Sequence, residues 1–322
     1  MSKVNTLLEL LAGVPRQRKF LKRLVADILQ RHSVSIGSEF TLTDLKKIEQ
    51  YYGLFVPLVI GNMMSRLHGR ALTVKERETF TLMGAISGLY DDFFDKHQLP
   101  SDAIKELTTT YRIDQLAKAN IRAYQAFLIE LVNRIEDVEA FSNTFLDVFD
   151  AQVASLQQTT PLATAALLTL SREKGGSSVL FYRTALTTRP IEAEQAFWFQ
   201  TGALGQLCND IFDLYKDQQE GIYTFASSCG STSALLDQFN RDRQLWRDCL
   251  ERVPVPAHHR HQCAHFFELV LLSRTRVCLH HLAEVEKRYG SYQPRSWTRK
   301  DLVTDMETIA NISRQLRYYF AQ

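Results

Sequence analysis

Asp91-Asp92-Phe93-Phe94-Asp95 and Asn209-Asp210-Ile211-Phe212-Asp213-Leu214-Tyr215-Lys216-Asp217 are two acidic clusters, each closing an apolar stretch of helical periodicity. On a helix, Asp91 and Asp95 lie one turn apart on one face. Asn209, Asp213 and Asp217 form a stripe at i, i+4 and i+8. Two such faces opposed across a cavity would offer several carboxylate oxygens and an amide oxygen, the ligand set of a hard cation such as Mg²⁺. Magnesium rarely sits in an all-protein cage and is normally shared with substrate phosphates. The pair therefore points to a diphosphate handled through metal ions, with Mg expected as cofactor and Mn as its alternative.

Working outward, the composition favours long helices. Of 322 residues, 45% are hydrophobic and 23% charged, enough for a sizeable core. Glycine (14) and proline (8) are few, which leaves little room for the turns of a many-stranded fold. The periodicity predicts helices over 15–31, 43–67, 74–97, 101–109, 113–134, 138–157, 161–187, 191–220, 233–252, 257–289 and 298–321. Thr41 or Thr43 before Asp44, Thr73 before Glu76, and Pro190 supply start signals. No alternating strand pattern, repeat or linker interrupts the chain. The expectation is one all-α domain over 1–322, a bundle of about ten or more helices around a central cavity.

The net charge of +2 gives no reason to expect nucleic acid or an anionic membrane as partner. Cys208, Cys229, Cys249, Cys263 and Cys278 are odd in number and form no CxxC, as expected of reduced thiols in a cytoplasmic protein. Leu7, Leu8, Leu10 and Leu11 are interrupted by Glu9, unlike a secretory signal. No run approaches the roughly 20 apolar residues that span a bilayer, so no stable membrane insertion is expected. The basic run Arg16 to Arg23 reads as a solvated helix face.

Small residues precede both acidic clusters: Gly84, Ser87 and Gly88 before the first, Gly202 and Gly205 before the second. Glycine within a helix costs about 1 kcal/mol relative to alanine. Either space for a ligand or close helix packing accounts for them.

Taken together, these residues resemble the class I isoprenoid synthases, and most of all the bacterial class I terpene synthases (terpene cyclases). The resemblance implies an all-α bundle with a DDxxD motif on one helix and (N/D)DxxSxxxE on a facing helix, together binding three Mg²⁺ ions and a prenyl diphosphate. DDFFD at Asp91, Asp92 and Asp95 matches the first motif fully. The second matches in spacing at Asn209, Asp213 and Asp217, with Asp213 where Ser or Thr is usual and Asp217 where Glu is usual. That acidic variant is also similar to the second DxxxD of squalene and phytoene synthases. The resemblance further implies a diphosphate-sensing Arg before a helix break whose glycine carbonyl faces substrate. Arg172 and Gly176 have that arrangement, with Lys174 and Arg183 as rivals and a shorter gap to Asn209 than is usual. Arg317-Tyr318 matches a terminal diphosphate-binding pair, with Arg314 as alternative. Lys216 is a further candidate donor to diphosphate, although it lies off the stripe. The resemblance spans roughly 83 to 318, and only the two acidic motifs are specific.

Ionising an allylic diphosphate requires a stabilised leaving anion and an apolar, aromatic cavity for the cation. Candidate lining residues are Phe80, Tyr90, Phe94, Phe181, Phe199 and Phe212, with Gly84, Ser87, Gly88 and Gly205. An aromatic face contributes about 0.5–2 kcal/mol to a cation, and each residue taken alone reads as ordinary core. The histidines His258, His259, His261 and His265 lack CxxC or HExxH company and read as structural or surface groups rather than a zinc site. The leading expectation is a lyase that converts a prenyl diphosphate to a cyclic or rearranged terpene. Its rivals are a prenyl-joining synthase of the squalene or phytoene type and a non-catalytic helical protein. Chain elongation fits less well, because Lys96-His97-Gln98 stands where those enzymes carry Arg-Arg. Paired bundles are common in the family, so a homodimer is the implied assembly.

Overall fold

The structure, a computed structural model, describes residues 2–321, and every regular element among them is helical. The chain divides into two compact units. One comprises the residues up to Phe149 together with Phe181–Arg189 and His261–Cys263. The other comprises Asp150–Leu180, Pro190–Arg260 and the chain from Ala264 onward.

The first unit is built around the helix Val74–Asp95, which carries the first acidic cluster. The expected capping box starts it: Thr73 Oγ1 accepts from the Glu76 N–H, and Glu76 accepts from the Thr73 N–H. Arg70 pairs with the same carboxylate. Together these contacts hold the Glu76 carboxyl below its ordinary range, although burial opposes them. The helix expected over 43–67 runs without a break from Leu42 to Leu67, but it is not uniformly α. Leu42–Lys47 runs into wider π-helical turns, Ile48–Tyr52 and Val56–Gly61, on either side of Gly53–Phe55. Pro57 explains part of this, because it has no N–H and its ring crowds the carbonyl four residues earlier; a π-turn accommodates that loss. The expected start at Pro15 is also corrected. The helix runs Lys3–Arg31 with Pro15 inside it, and Ser2 caps its start by accepting from the Asn5 N–H.

An aromatic core fills this unit. Tyr90 stacks on Tyr124 at 6.0 Å, and Phe145 stacks on Phe181 at 4.7 Å. The Tyr90 hydroxyl bonds Thr108 Oγ1 at 2.8 Å, satisfying its one polar group. Burial first, and then the neighbouring Tyr90 and Tyr111, push the Tyr124 phenol well up.

In the second unit the helix Glu192–Phe212 carries the second acidic cluster. It packs against Thr232–Arg252 through Phe197, Trp198 and Trp246, all fully buried. Trp246 Nε1 donates to Thr201 Oγ1 at 3.0 Å, and Trp198 Nε1 donates to Glu194 at 2.9 Å. The helix break expected after Arg172 is absent: Thr164–Arg183 runs continuously through Gly175 and Gly176. These glycines instead admit a neighbouring backbone. A Cβ on Gly202 would lie 2.0 Å from the Gly175 carbonyl oxygen, and a Cβ on Gly176 would meet the Phe199 ring at 2.3 Å. Two further corrections concern helix ends. The element expected over 298–321 is the short turn Arg299–Leu302 followed by Ile309–Phe320, restarted by a Thr308 cap. The element expected over 257–289 contains a π-turn, Glu268–Leu272. No helix among the described residues is long and apolar enough to cross a membrane.

Candidate functional site

Asp91, Asp92 and Asp95 occupy the last turn of the Val74–Asp95 helix. Unpaired carbonyls make that end partly negative, so carboxylates there are electrostatically misplaced unless a cation joins them. The structure supplies one for Asp92, whose carboxylate binds Lys47 Nζ at 2.6 Å. Asp91 accepts a hydrogen bond from the Tyr52 hydroxyl at 2.6 Å, and Asp95 is exposed. The cluster thus divides into Asp92, already paired with Lys47, and two members on one face, Asp91 and Asp95.

The neighbouring small residues are accounted for by packing. A Cβ on Gly84 would lie 2.5 Å from the Tyr52 carbonyl oxygen, and one on Gly88 would lie 3.1 Å from the Tyr52 ring. Of the two accounts, close packing holds at Gly84 and Gly88 rather than cavity lining: these glycines let Tyr52 approach closely enough to reach Asp91. Ser87 bonds the Tyr182 hydroxyl at 2.9 Å. Phe80 is fully buried and packs at Gly61, and Phe94 and Phe181 belong to the aromatic core.

In the second unit, the helix expected over 191–220 bends at Asp213, where Glu192–Phe212 gives way to Leu214–Glu220. The ligand register survives the bend. The Asp213 N–H still bonds the Asn209 carbonyl, and the Asp217 N–H bonds the Asp213 carbonyl, both at 2.8 Å. Asn209 is exposed and donates its amide to Asp213 at 3.2 Å.

Asp210 is the member that sequence reasoning passed over. It is buried and accepts from Ser171 Oγ at 2.7 Å and Gln206 Nε2 at 2.8 Å. Its place inside the quoted motif was visible, but it falls off the i, i+4, i+8 stripe. Burial raises the Asp210 carboxyl, and burial likewise raises Asp213. Asp217 is pushed up to about 8, first by burial and then by the charges of Asp210 and Asp213. Beyond burial, Asp213 raises Asp210 and both raise Asp217, with Lys174 and Lys216 acting against them.

Among the described residues, no three His, Cys, Asp or Glu side chains converge closely enough to hold a metal ion by themselves. The donor chemistry still suits one. Crowded carboxylates that bind protons unusually tightly gain from a hard dication, and Mg²⁺ takes much of its shell from water and phosphate. The residues fit a metal shared with substrate rather than one caged by protein.

The expected diphosphate donors are placed unequally. Arg172 is ion-paired with Asp242, which is buried. Lys174 lies near enough to Asp210 to favour its ionised form. Arg183 is buried and donates to the Thr188 carbonyl at 2.8 Å, which commits it to closing the turn after its helix. Lys216 is exposed, with Glu220 at 3.8 Å. Arg317 is exposed, and the Arg276 guanidinium lies 5.9 Å from the half-buried Tyr318 ring. Phe212 lies under the Arg274 guanidinium at 5.4 Å, and the space beside Gly205 is bounded by Phe267 at 3.8 Å. His258 and His259 pack ring against ring at 4.3 Å, and His281 donates to the Asp301 carbonyl at 3.0 Å. The first unit also holds a cleft of about 390 Å³ bordered by Arg70, Glu76, Arg134 and Glu136, none of them expected site residues.

Two expected results arise here. Because the folded protein holds the Asp217 proton up to a pKa of about 8 against an ordinary 3.8, ionising this group opposes folding. That cost is absent below about pH 4 and grows as pH rises toward about 8. In urea unfolding without metal, Asp217→Asn therefore gains stability over the parent as pH rises from about 5 to about 8. Parallel pH curves for the two proteins would contradict this. Separately, Arg172→Ala strands a buried carboxylate at Asp242. We expect it to cost about 2 kcal/mol or more, less than the roughly 3–5 kcal/mol of a fully buried pair because Arg172 is partly solvated. Adding Asp242→Asn should recover part of that loss in thermal melts.

The chain matches no protein-family model, and no curated protein sequence matches it. Among solved structures it is similar to a dehydrosqualene synthase in complex with ligand. The two superpose with a TM-score of 0.53 at 14% identity, over 95% of this chain and 97% of that one. The fold is therefore all-α and isoprenoid synthase-like.

Proposed function

We propose that this chain is an Mg²⁺-dependent isoprenoid synthase that ionises a linear prenyl diphosphate, releases pyrophosphate and forms a cyclic or rearranged terpene. The observation that supports the reading is the gathering of Asp210, Asp213 and Asp217 on one partly buried helix segment, where burial first and the neighbouring carboxylates second push the Asp217 carboxyl up to about 8. Asp91 and Asp95 are the candidate metal ligands of one unit, and Asn209, Asp213 and Asp217 are those of the other. When bound, metal ions supply positive charge that stabilises the departing pyrophosphate.

The chain's own groups do the rest. Tyr52 orients Asp91 through its hydroxyl, and Ser171 and Gln206 fix Asp210. Exposed Arg317, with Lys174, supplies donors for phosphate oxygens. The leaving group needs no proton, so no general acid is required. Aromatic faces shield and stabilise the allylic cation.

A second reading is favoured by a specific observation. Carboxylates stand at both Asp213 and Asp217, as in the second DxxxD of the squalene and phytoene type, and the fold is similar to that of a dehydrosqualene synthase. Joining two prenyl diphosphates is the alternative outcome. Product analysis after incubation with Mg²⁺ and single prenyl diphosphates separates the two. A hydrocarbon or alcohol with the substrate's carbon count supports the first reading, and one with twice that count overturns it in favour of the second.

A further inference from the structure

The chain's net charge of +2 conceals a strong asymmetry. Residues 1–31 hold seven of the 38 basic residues and two of the 36 acidic ones, so this segment carries +5 and the remainder −3. One of the two acids, Glu9, is paired with Arg66 at 2.8 Å. The helix Lys3–Arg31 buries a stripe that includes Gln17, Leu21, Val25 and Ile28. A second stripe faces water. Val4, Leu8 and Leu11 are 51%, 57% and 64% exposed, and Pro15, Arg18 and Lys22 continue the line. Their spacing of i, i+4, i+7, i+11, i+14 and i+18 puts them on one face, about 27 Å long. Its first half is apolar and its second half basic, with exposed Lys19 and Arg23 alongside. The nearest acids are loosely placed, Glu49 at 3.8 Å from Lys22 and Asp27 at 3.9 Å from Arg23.

We propose that this helix docks the protein on an anionic lipid bilayer, with Val4, Leu8 and Leu11 at the acyl–headgroup boundary and Arg18, Lys19 and Lys22 among the headgroup phosphates. An apolar stripe in register with clustered Lys and Arg is the pattern of a helix lying in a membrane interface, which is distinct from spanning it. Charge complementarity selects the bilayer over a second copy of this chain, since symmetric pairing would bring two basic sets into one contact. The near-neutral total, which gives no reason to expect an anionic membrane, averages this segment away. The inference stands independently of the proposed reaction. If that reaction holds, docking brings the enzyme to the phase into which prenyl chains partition.

The test is co-sedimentation of the full chain with phosphatidylcholine vesicles, with and without about 30% phosphatidylglycerol. Binding is expected to be at least about tenfold stronger on the anionic vesicles and to fall about tenfold when salt is raised from about 50 to about 500 mM. Leu8→Ser with Leu11→Ser should weaken binding about tenfold or more. Leu116→Ser, at a leucine 96% exposed elsewhere, should change nothing. All these positions face solvent, and matching circular dichroism melts confirm that the variants fold. Absent binding, equal binding to both vesicle types, or unchanged binding by the double variant would overturn the proposal. So would a concentration-dependent dimer that the double variant dissociates, since a second copy would then occupy the face.

Discussion

If the proposed reaction holds, Asp91→Ala and Asn209→Ala are each expected to lower Mg²⁺-dependent pyrophosphate release by about 10²–10³-fold or more, and Asp92→Ala by less than about tenfold. The expected contrast comes from local geometry. Asp91 lies at a helix C-terminus and accepts from a neutral hydroxyl, that of Tyr52, at 2.6 Å. Its charge is poorly matched to the helix end, and a cation carrying substrate phosphate would relieve that mismatch. Asp92 already has its cation in Lys47 at 2.6 Å. Its loss should register first in stability, by about 1 kcal/mol or less for a partly solvated pair. Asn209 is exposed at the start of the second stripe and contributes little to packing. Thermal melts of Asp91→Ala and Asn209→Ala should therefore stay close to the parent. Equal losses of activity in Asp91→Ala and Asp92→Ala would show that the division of roles is wrong.

The second large effect concerns folding. Gly202→Ala is expected to destabilise the protein by about 3 kcal/mol, the upper end of the usual overpacking range. The added methyl would meet the Gly175 carbonyl oxygen at 2.0 Å and the Gly176 Cα at 2.9 Å. Those are backbone atoms of another helix and cannot rotate aside. Gly205→Ala, one turn along the same helix, is the matched control. Its nearest neighbour is the Phe267 ring at 3.8 Å, an ordinary contact. The change there should be neutral or stabilise by up to about 1 kcal/mol through helix propensity. Urea midpoints for the two variants measure the difference, and similar midpoints would contradict the packing account.

These residues also show how far the sequence could be read. Helicity was legible because long 3.6-residue periodicity and sparse glycine leave few other folds, and the Thr73–Glu76 box announces its own start. The spacing of Asn209, Asp213 and Asp217 was legible because helical hydrogen bonds carry register across the bend at Asp213. The meaning of the glycines was not. A glycine that makes room for ligand and one that makes room for backbone look alike in one dimension, and only the positions of Tyr52 and Gly175 decide between them. The role of Arg172 was hidden for a similar reason, since its partner Asp242 is 70 residues away. Asp210 was overlooked because a stripe argument selects one helix face, whereas its importance comes from Ser171 on another helix. The π-turns after Lys47 depend on how the chain packs around Pro57 and Gly53, which periodicity does not encode.

The central claim is that the two acidic clusters serve metal-dependent chemistry on a prenyl diphosphate. The most direct test incubates the purified protein with geranyl, farnesyl, geranylgeranyl and geranylfarnesyl diphosphates, with Mg²⁺ or with excess chelator, and follows pyrophosphate release. The account predicts release with at least one of these substrates, abolished by chelator and lost in both Asp91→Ala and Asn209→Ala. No release from any of them, alone or in pairs, or release that survives both substitutions, would contradict it.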